Sequence, residues 1–496
     1  MIASFASNIV TILIGLIAQA IFIKILGTEY LGLNGLFSNI ISMLAIVELG
    51  VGNAIIYNLY KPIAENNIEK IKSLMQFYKK SYRIIGCIVL LIGLVLIPFL
   101  PFLIEEVTID INIVLVFLLF LLDTVCSYFL SYKRSILYAN QKNYLVNFIH
   151  IIYTILLNTL QLIVLFFTKN YYLYLGLKII IRIMENLFIT IVANKMYSYL
   201  KNTAVEPLDK NTEKDIFKKV KALFFHKIGS FVVLGTDNII ISRFLGLVTV
   251  GLYSNYYMII NAVQTIFGQV IQSTTASIGN LLVTETKEKQ FDVFKKIRFI
   301  NFWIACFSSI AVLVVMDSFI RIWLGKEYLL ATAVLIVLVF NLFQKLMRNT
   351  YVSFKEAAGI YYEDRFVPLV ESLLNIIFSI LLVKQFGLVG VFVGTIISGF
   401  ALWCYSYPKY VYKKLFARNY MDYTKETIGY ILLFLVLASG TYFIASFIHF
   451  HNVYFEFLAH AFVSLIVPNF ILLLIFYKNE NFKYYKEFLF RKKNKE

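Results

Sequence analysis

Runs of apolar residues about as long as a bilayer is thick recur along this 496-residue chain, and no other feature constrains its fold as tightly. We place them near 3–26, 33–57, 84–104, 111–131, 144–167, 173–194, 228–245, 251–282, 299–316, 329–344, 366–383, 387–407, 427–448 and 455–477. A soluble domain of this length is about half apolar and about a quarter charged; this chain is 60% hydrophobic and 15% charged. In lipid, each run must satisfy its own backbone polar groups, which leaves helices or a closed barrel. Stretches such as IVLLIGLVLIPFLPFLI lack the alternation of a barrel strand. The expected fold class is an all-α polytopic membrane protein of fourteen transmembrane helices.

Charge orients the spans. Of 46 Lys and Arg residues, 37 fall in even-to-odd connections and the C-terminal tail, four in the opposite loops (Lys169, Arg321, Lys326, Lys384) and five within or beside spans. By the positive-inside rule the basic side faces the cytoplasm, with both termini there. The net charge of +17 then reads as attraction to anionic membrane lipids, not to nucleic acid. Ala18-Gln19-Ala20 resembles a cleavage site, but no charge precedes it and the apolar run continues to Ile25, so the segment reads as a retained first helix. The four cysteines (Cys87, Cys126, Cys306, Cys404) are scattered in apolar runs and read as small hydrophobes. EKIKSLMQFYKKSYRII, with Ile71, Leu74, Phe77 and Ile84 at helical spacing, reads as an interfacial helix. No metal-ligand cluster, nucleophile elbow or phosphate-binding glycine loop occurs, which argues against an enzyme or an ATP-driven pump.

The chain also repeats itself. Lys24-Ile-Leu-Gly27-Thr-Glu-Tyr-Leu-Gly32-Leu33 matches Arg243-Phe-Leu-Gly246-Leu-Val-Thr-Val-Gly251-Leu252 at an offset of 219. Each copy closes one span and opens the next, so spans one and two correspond to spans seven and eight. Six helices separate the copies, which gives parallel repeats about an axis along the membrane normal, a transporter architecture. The expected division is 1–200 as an N-terminal six-helix lobe, 201–220 as a cytoplasmic linker, 221–412 as a second six-helix lobe, and 413–496 as two further helices with a basic tail. A cleft between the lobes would give alternating access.

Ionisable residues at bilayer depth are costly and face interiors or cavities. Span six carries Lys178, Arg182 and Glu185 on one helix face. They read as a cavity cation site for an anionic headgroup, or equally as an internal ion pair with Glu185 or Glu371. Lys227 and Arg243 are further candidate cations. Asp237, mid-span, and Glu48 are candidates for carrying a coupling proton or sodium ion; a structural pair with a cation of another helix is the alternative for Asp237. Asn261, Gln264 and Gln272 on span eight, with Asn8 and Gln19 on span one, form uncharged stripes at 3–4 residue spacing. Such stripes suit a hydrated cavity for sugars, and they also suit interhelical hydrogen bonds. His226 and Ser230 lie near Asp237, Asp123 is a further acid within a span, and Pro368 and Pro468 are expected to kink spans eleven and fourteen.

Three strings carry a family resemblance: ELGVGNAIIYNLYKPIAENNIEKIKSLMQFYKKSYRIIG (Glu48 to Gly86), TDNIIISRFLGLVTVG (Thr236 to Gly251) and GLVGVFVGT (Gly387 to Thr395). With the fourteen-span rhythm, they make the chain resemble the Wzx-type polysaccharide flippases of the multidrug/oligosaccharidyl-lipid/polysaccharide (MOP) exporter superfamily. The resemblance implies two six-helix lobes plus two C-terminal helices. It further implies movement of an undecaprenyl-pyrophosphate-linked oligosaccharide from the inner to the outer leaflet, alongside polysaccharide polymerase machinery. No cofactor is implied beyond H+ or Na+ as coupling ion. The alternatives are a cation-coupled multidrug exporter, a lipid II or spore-wall flippase, and a membrane polymerase or ligase. Only the short loop from Asp317 to Tyr328 speaks for that last reading.

Overall fold

The computed structural model describes the backbone of residues 2–48, 51–105, 108–201, 207–360 and 363–493; side chains at 2–8, 47, 53, 130, 211, 215, 218–219, 221–234 and 488–493 lie outside the description. Among the described residues the chain is helical with no strand. The first helices are α1 (Ile2–Leu26), α2 (Thr28–Leu44), α3 (Val51–Ala64), α4 (Ile68–Leu96) and the short α5 (Leu100–Leu103). There follow α6 (Ile113–Leu130), α7 (Arg134–Ala139), α8 (Asn143–Thr168), α9 (Tyr171–Met196) and the long α10 (Lys210–Gln272). The remainder are α11 (Thr275–Thr284), α12 (Lys287–Trp323), α13 (Thr332–Ala357), α14 (Val367–Ala401), α15 (Tyr420–Ala445), α16 (Val453–Phe476) and α17 (Glu480–Lys493). Nine of the described helices are long and apolar enough to cross a membrane, ten if the bent pair Ile113–Phe129 and Ser131–Ala139 counts as one span. α10 is interrupted at Gly246 and α14 at Gly387, where the backbone is not helical.

Local chemistry explains where several helices begin. Asn67, Asn112, Asn170, Asn419 and Asn452 each stand one residue before a helix, and each side-chain oxygen accepts a backbone N–H of the first turn. Asparagine is among the best residues for capping these orphan donors. Pro368 lies in the first turn of α14, where a missing N–H costs nothing, so it starts that helix and does not kink it as expected. Pro468 does lie inside α16. The stretch read as an interfacial helix is the basic end of α4, continuous with the membrane segment. Its Ile71 and Leu74 are buried, and Ile84 is exposed. α12 and α13 extend well past the expected spans, so Arg298, Arg348 and Lys355, counted above with the loops, lie inside helices.

The chain divides into two compact units, Met1–Ser254 and Asn255–Glu496. In the first, α9 packs on both α6 and α8, α8 on α1, and α4 on α3 and α6. In the second, α12 packs on α13, α15 and α16, and α13 on α14. Aromatic rings fill the second core: Phe343 stacks on Phe434 with centroids 4.0 Å apart, and Phe302 on Tyr430 at 4.2 Å. Both units carry outward-facing large apolar side chains, among them Leu91, Val95, Phe148 and Phe166 in the first and Val436, Phe443, Phe462 and Phe470 in the second. In water such a surface would aggregate; in lipid it is the solvated face.

The two copies of the repeat meet inside the first unit. Gly27 (φ 97°, ψ 173°) and Gly246 (φ 80°, ψ 167°) share a backbone conformation that side-chain-bearing residues rarely adopt. Five residues on, a Cβ on Gly32 would collide with the carbonyl of Leu247, and one on Gly251 with the carbonyl of Thr28. The contact is reciprocal: each copy presents its second glycine to the residue after the other copy's first. That is the signature of a local two-fold relation.

Candidate functional site

Span six of the sequence is α9, and its polar face joins three helices. Arg182 donates to Asp123 of α6 through Nε (2.5 Å) and Nη2 (3.3 Å). Lys178, one turn earlier, lies 3.2 Å from the same carboxylate. Glu185, three residues on, takes Arg134 of α7 at 3.0 Å and His150 of α8 at 3.1 Å. Arg134 also donates to Asn186 at 2.8 Å. The partner of Lys178 and Arg182 is thus Asp123. The two carboxylates proposed for them from sequence are engaged elsewhere, Glu185 as above and Glu371 by Arg348 at 2.7 Å. Asp123 is buried, whereas the Lys178 and Arg182 side chains keep 30% and 33% of their exposure. Three cations face two carboxylates along this stripe, so it carries an excess positive charge.

The second unit balances its charges differently. Arg298 bonds Glu426 and Tyr412, Arg321 meets Glu456 at 3.0 Å, Arg348 meets Glu371, and Lys355 bonds Asp364 with Ser406 alongside at 2.9 Å. Each of these four cations has its own carboxylate. Such pairs satisfy buried charge and tie helices together without leaving charge over for a ligand.

Glu48 closes the short 3-10 turn Ala45–Glu48 that follows α2, and it stands among tyrosines. The Tyr82 hydroxyl donates to its carboxylate, the rings of Tyr78 and Tyr82 meet edge-on at 4.5 Å, and Tyr128 packs on Tyr82 at 5.9 Å. A Cβ at Gly52 would stand 3.2 Å from both the Tyr78 and Tyr82 hydroxyls, so only glycine leaves them full room there. Asp237 lies half-buried on α10, next to Asn238, whose amide approaches the Gly35 backbone. Gln19 and Gln264 are half-buried, and Asn261, Gln272 and Arg243 are exposed. Asn8, His226, Lys227 and Ser230 have side chains outside the described residues. Sequence reasoning missed Arg134, His150 and Tyr82 as partners of the intramembrane acids. The signal for them was that Glu48, Asp123 and Glu185 lie within apolar runs and so require partners.

The family model described as "polysaccharide biosynthesis protein" matches residues 1–276. No curated protein matches the chain. Among solved structures, a lipid II flippase, MurJ, in an inward closed conformation aligns with a TM-score of 0.69 at 15% identity, over 96% of this chain and 98% of that one. An inward-facing multidrug resistance MATE family transporter of the MOP superfamily aligns with a TM-score of 0.63 at 16% identity, over 78% of this chain and 91% of that one. A mutant of the Vibrio cholerae MATE transporter VcmN aligns at 0.55 and 14% identity, over 84% and 96%. At such identities the likeness is one of fold, and it is the fold of multi-pass membrane transporters.

Proposed function

Since the chain belongs to the polysaccharide biosynthesis protein family, a multi-pass membrane family with a flippase fold, we propose that it moves an undecaprenyl-pyrophosphate-linked oligosaccharide from the inner to the outer leaflet of the cytoplasmic membrane for surface polysaccharide synthesis. The observation that carries this reading is the excess positive charge of the α9 stripe, where Lys178 and Arg182 share one carboxylate and remain about one-third exposed. A pyrophosphate brings the acceptors that a guanidinium fork and an ammonium match. A cationic drug would be repelled by the same stripe, so the multidrug-exporter reading is the weaker one.

In this reading the chain crosses the membrane fourteen times with both termini in the cytoplasm. Two six-helix lobes rock about a central cleft, with two further helices at the C-terminus. Lys227 and Arg243 supply additional cations, and the uncharged stripes with Asn8, Gln19, Asn261, Gln264 and Gln272 bond the sugars. Glu48, held by a tyrosine hydroxyl, and Asp237 exchange the coupling H+ or Na+. The product passes to a polysaccharide polymerase. Replacing Arg182 by Ala and measuring surface polysaccharide at equal protein level tests the assignment. Export is expected to fall at least tenfold, about the loss of 1.4 kcal/mol of binding. Undiminished export removes Arg182 from the mechanism.

A further inference from the structure

A second cationic site lies at the basic end of the first unit, apart from the α9 stripe. α4, the segment after α6, the segment after α9 and the residues into the start of α10 border an open cavity of about 710 Å³. Lys72, Lys79, Lys80, Arg83 and Lys133 line it, with Glu213 as the one carboxylate among its described lining residues. Four of these cations are on α4 and Lys133 follows α6, and three of the five have described partners. Lys79 of α4 and Lys133 approach the Tyr132 ring at 5.8 and 5.9 Å, and Lys133 also donates to Asn194 of α9. Lys72 is engaged by Glu69 at 2.9 Å. Among the described residues, no carboxylate lies within ion-pair distance of Lys79, Lys80 or Arg83.

The wall is built rather than incidental. Lys70 donates to Asp209 at 2.5 Å and to Thr212 at 3.1 Å, which clamps the start of α10 against α4. Lys70 beside Asp209 holds that carboxyl well below the usual carboxylate range. Phe77 and Phe217 close the same seam edge-on, with centroids 6.2 Å apart. An exposed apolar stripe begins at the edge of the cavity. Ile84 lines it, and Ile84, Ile88, Leu91 and Val95 are exposed in turn at spacings of four, three and four along a single face of α4. A ligand with a phosphate and a hydrocarbon chain would place the first among the cations and the second along that stripe.

We propose that this cavity binds the phosphate headgroup of a lipid in the leaflet on the basic side of the membrane. Two kinds of lipid carry that chemistry, a bulk anionic phospholipid and a polyprenyl diphosphate. The test is native mass spectrometry on the full chain in detergent, titrated with phosphatidylglycerol or phosphatidylcholine. Wild type is expected to retain phosphatidylglycerol in preference. K79Q/K80Q/R83Q is expected to lose that retention roughly tenfold or more, because each cation near an anionic lipid contributes comparably. K483Q/K486Q, which removes charge from α17, is expected to leave it unchanged. Lys80 is exposed, so Lys80→Glu keeps the fold and is expected to weaken retention as well.

Competition with farnesyl diphosphate and inorganic diphosphate separates the sources. Displacement by farnesyl diphosphate alone identifies a polyprenyl diphosphate site. Resistance to both, with phosphatidylglycerol retained, identifies a phospholipid site. Equal displacement by both diphosphates marks a soluble-anion site and overturns the proposal. So does unchanged lipid retention in K79Q/K80Q/R83Q and Lys80→Glu, or equal loss in K483Q/K486Q.

Discussion

Asp123 has two cations to itself, and its removal would leave both uncompensated. Breaking a buried ion pair costs about 3–5 kcal/mol, whereas a fully exposed pair is worth about 0–1. With Asp123 buried and its partners one-third exposed, Asp123→Asn is expected to fall between these, at about 2 kcal/mol. It should lower the thermal midpoint of the purified protein, and D123N/R182Q should recover part of the loss. An unchanged midpoint in D123N would show that the pair does not support the fold. Tyr82→Phe strips a hydroxyl from Glu48 and is expected to cost about 1–3 kcal/mol, read as a lower unfolding midpoint; a midpoint equal to wild type would mean the contact is dispensable. Lys178, Arg182 and Glu185 were legible as one face because helical spacing is local. Their partners were not. Asp123 lies 59 residues before Arg182, and which helices stand side by side is settled by packing.

Among the helices, the repeat was legible because glycine spacing is written in the chain. Its meaning as a reciprocal contact was not, because a collision with a carbonyl depends on how two hairpins are placed. The same turn recurs in the second unit. Leu324-Gly325-Lys326-Glu327-Tyr328-Leu329 matches Leu26-Gly27-Thr28-Glu29-Tyr30-Leu31 at every position but one, and Gly325 (φ 124°, ψ 170°) repeats the backbone of Gly27. Glu29 shows what the turn secures, since its carboxylate accepts the Thr108 N–H at 2.8 Å. Gly246→Ala forces a side chain into this region of φ and is expected to cost about 1–3 kcal/mol. Gly176→Ala is the contrast. That glycine is inside α9 with no atom within 4 Å of a built Cβ, so alanine is expected to stabilise by about 0.5–1 kcal/mol. Equal midpoints for the two variants would contradict the strain argued at Gly246.

For the whole molecule, the all-helical membrane character followed from apolar run length alone, since a backbone in lipid has so few options. Run length is a poor guide to helix ends. α12 begins near Lys287 and α13 ends near Ala357 because Arg298, Arg348 and Lys355 find carboxylates and can enter the helices. The proposed topology is open to a direct check. A reporter fused after Lys326 is expected to read as extracytoplasmic and one after Lys142 as cytoplasmic; the reverse at either point would overturn the orientation. The joint at Gly32 and Gly251 bears on how such a chain can change over time. Main chain rests on main chain there, so the joint asks for glycine at Gly32 and Gly251 and asks less of the side chains further away. Two hairpins bound in this way can exchange nearly every side chain and still meet at the same angle. A protein carrying such a seam can be rewritten over most of its surface without being refolded, and chains similar to it in shape need share little of its text.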